Sequence, residues 1–230
     1  MTPRTEPGPL TAAADVRRAR AVLFDFDGTL VDTEPYWIEE EYALIESFGA
    51  RWSHQQALEL VGNDLLESGR SIVQQTGIPL SPAQVVDRLL DGVVVHMRRS
   101  VPWQPGAVDL LAALRRAGVP CGLVTMSYRR FVEPALTALP PGTFAHVITG
   151  EVVSRGKPHP EPYVAAADAL GVAPADCVAV EDSNTGAASA AAAGCRVVVV
   201  PNHVVVEPRP GFRFLESLAG LDTDALLALG

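Results

Sequence analysis

Asp25 and Asp27 stand two residues apart at the end of a short apolar run, in AVLFDFDGTLVDTE, residues 21–34. Two carboxylates at that spacing on an extended strand point to the same side. Like charges so close repel unless a cation or a shared proton relieves them. A hydrated Mg²⁺, which binds through one or two carboxylates plus substrate phosphate, suits such a pair. A solvated strand end, or an Asp-x-Asp clamp holding metal for a sugar nucleotide, would leave the same trace. Further along, Thr125 falls in the run CGLVTM, Lys157 lies in SRGKPHPEPY, and Glu181 and Asp182 follow Val178-Ala179-Val180. A hydroxyl can hydrogen-bond a phosphate oxygen, although Thr also favours strands for its shape alone. Lys157 is the only lysine in the 230 residues, set in a loop stiffened by three prolines. A point charge there can hold a transferring phosphoryl group; an ordinary surface lysine is a solvated charge. Two adjacent carboxylates after an apolar strand are costly to bury without a cation, while Asp182 or Ser183 could equally cap the helix that follows.

These residues need elements to bring them together. Ala21–Phe24 reads as a strand buried on both faces, and Gly28 opens the turn after it. From Pro35 the apolar spacing becomes helical, through Phe48 to a stop at Gly49. Ser53, Asp64 and Ser81-Pro82 each have the character of a helix start, and Gly77 that of a helix stop. Residues 35–104 are therefore expected to be all helix. After Gly106 the pattern alternates. Helices are expected at 107–117, 129–139, 162–170 and 185–193, and strands at 121–126, 146–150, 177–182 and 196–200. Such alternation implies an α/β fold with a doubly wound, Rossmann-like parallel sheet. Right-handed crossovers bring its strand C-termini to one edge, where ligands of such sheets bind. The expected organisation is a loosely packed tail (1–19), a core (20–34 and 105–230) and an all-helical cap (35–104) inserted after the first strand. An insertion at that point hangs over the strand ends and could exclude water from them.

Composition narrows the partners. The net charge of −9 argues against a nucleic-acid surface, which would show clustered Lys and Arg. Cys121, Cys177 and Cys195 are far apart, each in or beside an apolar run, and read as buried small hydrophobes in a reducing compartment. No apolar run reaches membrane-spanning length, and the N-terminal stretch has no apolar core of a secretory signal. The expectation is a cytoplasmic monomer that binds a small molecule, with neither nucleic acid nor membrane as partner.

FDFDGTLVDTE resembles the first motif of the haloacid dehalogenase superfamily of phosphotransferases. The resemblance continues in order: Thr125 matches the second motif, Lys157 in GKPHPEPY the third, and Glu181 and Asp182 in VEDSNTG the fourth. The insertion is similar to the helical cap of the subgroup that holds β-phosphoglucomutase and sugar-phosphate phosphatases. This likeness implies a covalent route in which Asp25 attacks phosphorus and Asp27 serves as general acid and then base. It implies Mg²⁺ held by Asp25, the backbone carbonyl of Asp27 and Asp182, with Glu181 counted among the metal-site acids. Thr125 and Lys157 would complete the catalytic set, and Trp37, Gly62, Leu65, Met126 and Ser127 would meet the substrate. The implied activity is a Mg²⁺-dependent phosphatase acting on a small phosphate monoester, a sugar or polyol phosphate.

Three alternatives stand beside it: a β-phosphoglucomutase-like phosphotransferase, a dehalogenase, and an idle phosphate-binding regulatory protein. The dehalogenase subgroup usually lacks the second Asp, which is present here as Asp27. An idle protein would lack a catalytic part, and none is missing. The mutase carries a His shortly after its first motif and an Arg in the next cap loop. Aligning DTEPYW and VGNDLL puts Trp37 and Leu65 at those places, and DTEPYW resembles the hexose-phosphate phosphatases instead. Trp37 could also be a cap-core residue on the apolar face it shares with Ile45 and Phe48.

Overall fold

The computed structural model describes residues 18–61 and 64–229. The expected tail through residue 17 and the candidate Gly62 lie outside the described residues. Arg18 and Ala19, assigned to that tail, are described: Ala19 is buried, and its N–H donates to the Leu227 carbonyl at 2.9 Å.

Six strands form one parallel sheet: β1 (Ala21–Phe24), β2 (Cys121–Val124), β3 (His146–Ile148), β4 (Cys177–Glu181), β5 (Arg196–Val199) and β6 (Phe212–Phe214). Their order is β3-β2-β1-β4-β5-β6, which puts the strand carrying Asp25 at the centre, between β2 and β4. Helices cover both faces, so β1 has no solvent side. Val22 and Phe24 enter the apolar core on one face, and Ala21 and Leu23 the core on the other. That two-sided burial is why the strand reads as an unbroken apolar run, not as an alternation.

Between β1 and β2 lie α1 (Glu34–Ser47), α2 (His54–Leu58), α3 (Leu65–Thr76), α4 (Pro82–Arg99) and α5 (Ala107–Arg116). The starts follow local chemistry. Ser53 with Gln56, and Ser81 with Gln84, form reciprocal capping boxes, which satisfy two orphan donors at each helix end. The Asp64 carboxylate accepts the N–H groups of Leu66 and Glu67. Helices α1 to α4 have an apolar core of their own around Ile45, Trp52, Ile72, Val85 and Leu89. They form the helical cap of an α/β Rossmann-like fold. The chain enters and leaves this cap side by side: Val31 bridges Trp103, Asp32 N–H donates to the Pro102 carbonyl, and Gln104 N–H to that of Leu30.

The remaining helices are α6 (Arg129–Ala138), α7 (Glu161–Leu170), α8 (Asn184–Ala193) and α9 (Thr223–Ala228). Strand β6 and helix α9 were not among the expected elements. Strand β2 ends at Val124, two residues before the expected end, so Thr125 and Met126 belong to the loop beyond it. Phe48 does not share the burial of Ile45; it is exposed, with the Arg88 guanidinium 5.5 Å from its ring centre. No helix among the described residues is long and apolar enough to cross a membrane.

Candidate active site

All four sequence motifs meet at the C-terminal edge of β1, β2 and β4. Asp25 follows β1 directly and its N–H donates to the Val180 carbonyl of β4 at 3.0 Å, which fixes the carboxylate beside the end of that strand. Phe26 turns into the core, 1% exposed, so Asp27 comes back to the same side as Asp25. The turn depends on Gly28, whose φ is +88° and where a Cβ would lie 1.9 Å from Asp182 Oδ2. The Gln104 side-chain amide, from the cap's exit segment, donates to the Gly28 carbonyl at 3.1 Å.

Lys157 is the electrostatic centre. Its side chain is 6% exposed. Nζ donates to Asp25 Oδ1 at 2.5 Å, to Glu181 Oε1 at 2.6 Å and to the Val124 carbonyl at 2.9 Å. Burial alone would lower its pKa, but the charges of Asp25 and Glu181 and their hydrogen bonds outweigh it and hold the group above its ordinary value. Glu181 is fully buried. Its Oε1 also accepts from Tyr163 OH at 2.6 Å and its Oε2 from Ser183 Oγ at 3.1 Å. Ser183, not Asp182, caps α8, through the N–H of Gly186.

Asp25, Glu181 and Asp182 form a buried group whose carboxylate oxygens lie within 4.8 Å of one another. Desolvation pushes Asp182 up to about 9, with Asp25 and Glu181 adding repulsion, and pushes Asp25 up to about 7 against the pull of Lys157. Such an all-oxygen, charge-crowded set is what a hard divalent cation fits. The donors of Glu181 separate it from the other two: Lys157, Tyr163 and Ser183 already occupy both of its oxygens. Among the described residues, the Asp182 side chain accepts only a long contact of 3.4 Å from Thr29 Oγ1.

Asp27 is held differently. Thr33 Oγ1 donates to its Oδ1 at 2.6 Å, and Trp37 Nε1 donates to Thr33 Oγ1 at 3.1 Å. Burial raises Asp27 to about 6, against the lowering effect of the Thr33 bond. A carboxyl with that value can both hold and accept a proton near neutrality.

Above these groups is a cavity of about 650 Å³ between core and cap, within the range of small-molecule sites. Asp25, Asp27, Thr125, Met126, Ser127, Lys157 and Asp182 line it from the core, and Trp37 and Leu65 from the cap. Glu181 does not line it; it lies beneath Lys157. The Thr125 Oγ1 accepts the Ser127 N–H at 3.0 Å, and Met126 Sδ accepts the Lys157 N–H at 3.3 Å, so these loop residues brace one another. Thr33, Tyr163 and Ser183 had not been singled out as site residues. Thr33 had a signal, its position six residues after Asp27 at a helix start. Tyr163 had none, because it lies on α7 and its partner Glu181 is in β4.

Comparison with known proteins points the same way. A family model described as haloacid dehalogenase-like hydrolase matches residues 19–194. Hexitol phosphatase A of Escherichia coli is 32% identical over 195 residues, covering 80% of this chain and 83% of that one. A bifunctional riboflavin kinase/FMN phosphatase of Arabidopsis thaliana is 30% identical over 183 residues, and this chain spans 48% of its length. The crystal structure of a CbbY mutant from Rhodobacter sphaeroides, in complex with xylulose-(1,5)bisphosphate, has a TM-score of 0.80. It is 29% identical, with 91% of this chain and 99% of that one covered.

Proposed function

Because this chain belongs to the haloacid dehalogenase-like hydrolases, and is a phosphoric monoester hydrolase, we propose that it cleaves a sugar or polyol monophosphate through an aspartyl-phosphate intermediate. The observation that supports this most is the pairing of Lys157 with Asp25 at 2.5 Å, two residues from an acid held separately by Thr33. Asp25 is the nucleophile: one of its carboxylate oxygens attacks phosphorus as the ester P–O bond breaks. Asp27 gives its proton to the leaving alkoxide. It then takes a proton from the water that attacks the aspartyl phosphate, and inorganic phosphate leaves Asp25 free. Dividing one difficult displacement into two is the gain from covalent catalysis. Thr125 and Lys157 hold phosphoryl oxygens, and Lys157 offsets their charge as it develops.

Asp25, Asp182 and the backbone carbonyl of Asp27 would hold Mg²⁺, whose charge would offset that of the phosphoryl group and fix its orientation. Glu181 takes a different part in this reading, as the support that keeps Lys157 charged and aimed. Trp37, Leu65, Met126 and Ser127 border the leaving group.

Asp25→Asn should remove nearly all turnover, since an amide is a poor nucleophile. Asp27→Asn should cost roughly 10²–10⁴-fold in rate, the usual worth of a general acid/base. Full phosphate release by Asp25→Asn, or in excess EDTA, would overturn the mechanism. A mutase is the second reading, carried by the resemblance of the inserted cap to that of the subgroup that holds β-phosphoglucomutase. It is tested with β-glucose 1-phosphate and a trace of glucose 1,6-bisphosphate. Free phosphate is the expected product, and faster accumulation of glucose 6-phosphate would reverse the assignment.

A further inference from the structure

Glu41 has no part in the chemistry above, yet it borders the same cavity. It lies on α1 one turn beyond Trp37, so the two share a helix face, and both line the cavity. Glu41 is 5% exposed, and its Oε2 accepts from the Trp52 indole N–H at 3.0 Å. No Lys, Arg or His among the described residues lies within ion-pair distance of it. Desolvation raises it to about 7, although the Trp52 bond pulls the other way. A buried carboxylate with one neutral donor is poorly compensated, and a ligand that brings further donors relieves it.

The rest of the cavity wall has the same sign. Asp32, Glu34 and Asp64 line it as well, and the basic lining side chains among the described residues are Lys157 and His203. The Lys157 ammonium is engaged by Asp25 and Glu181, and His203 Nε2 lies 2.8 Å from Asp32 Oδ1. One phosphoryl group can reach Lys157. Among the described residues, a second phosphate or a carboxylate elsewhere on the ligand would face acids with no unengaged cation to receive it. Hydroxyl groups, in contrast, are donors that a carboxylate accepts.

We propose that Glu41 is a specificity-determining residue that accepts hydrogen bonds from hydroxyl groups of the leaving alcohol. With the acidic wall around it, it selects monophosphates of uncharged polyhydroxy alcohols over phosphocarboxylates and bisphosphates. This rests on the phosphatase reading above.

The test compares kcat/KM for a panel of hexitol, pentitol and hexose monophosphates with that for phosphoglycolate, fructose 1,6-bisphosphate and acetyl phosphate. The wild type should prefer its best polyol or sugar monophosphate to the two anionic esters by at least about tenfold. Glu41→Gln, which keeps an acceptor for Trp52, should lose about tenfold or more on that ester relative to acetyl phosphate. That is the size of one hydrogen bond to a charged group, and discrimination against the anionic esters should shrink. Equal losses on every substrate, acetyl phosphate included, would overturn the specificity assignment and leave the phosphatase reading intact. So would a wild type that prefers phosphoglycolate or the bisphosphate, a measurement that stands even if the variant does not fold. A wild type that releases phosphate from none of them, acetyl phosphate included, would overturn both.

Discussion

Replacing Lys157 with methionine removes the cation from the centre of the site and keeps most of its stem. In the wild type the ammonium contacts Asp25 at 2.5 Å and Glu181 at 2.6 Å with 6% of the side chain exposed. Removing one partner of a buried ion pair costs about 3–5 kcal/mol, because the other charge is left uncompensated. At about 2–4 °C per kcal/mol for a chain of this length, Tm should fall by roughly 6–20 °C. The loss should depend on pH. In the metal-free protein burial raises Asp25 from 3.8 to about 7 even beside Lys157. The folded state therefore keeps a proton that the unfolded chain has released. Stability linked to this group is present below its unfolded value and is lost as pH rises through the folded one. Lys157 attracts Asp25 only once Asp25 is ionised, so its removal raises that pKa further and extends the decline to higher pH. The Lys157→Met penalty should thus be larger near pH 8 than near pH 5. Urea unfolding in EDTA at the two pH values, followed by circular dichroism, measures it. A third arm with Mg²⁺ near pH 8 should recover part of the loss as one cation replaces another. A penalty that is the same at both pH values, or below about 1 kcal/mol near pH 8, would refute the assignment of Lys157 as the counter-charge of this site.

Two further outcomes are expected. Gly186→Ala would put a Cβ 2.0 Å from both oxygens of Glu181; it should destabilise by about 1–3 kcal/mol in urea despite alanine's better helix propensity. It should also slow turnover, and a neutral or stabilised variant would show that Glu181 has room to move. Thr33→Val removes the donor that lowers Asp27. The pKa of Asp27 should rise, and the alkaline limb of the kcat/KM profile, where the acid loses its proton, should move to higher pH. An unmoved limb would detach Thr33 from the proton transfer.

The parts of the fold legible in the sequence are those governed by neighbours along the chain. Ser81-Pro82 announces α4, Gly77 ends α3, and the apolar run of β1 shows a strand with no wet face. Strand β6 was hidden because it is three residues at a sheet edge, with Arg213 and Phe214 exposed, and carries no periodic signal. Helix α9 is six residues long and has an Asp222 cap, too short for a helical period to emerge. The site divides in the same way. Asp25, Asp27, Thr125, Lys157 and Asp182 were visible because each follows a strand, and parallel strands bring their ends together. The contact of Glu181 with Lys157 was not visible, since Glu181 is held by Tyr163, 18 residues away, and by the depth of β4. Glu41 was hidden in a run of acids, Glu39-Glu40-Glu41, of which only the third is buried.

The solitary lysine has a practical consequence. Reagents that acylate primary amines would find one side-chain target in these 230 residues, and that target is enclosed between core and cap. Amine acylation of the folded protein is therefore limited by how often Nζ becomes accessible and neutral. Its rate at that single position, read by mass spectrometry, becomes a built-in clock for separation of the cap from the core. No label need be introduced. A ligand that closes the cavity should slow that clock, and one that leaves the cap ajar should not.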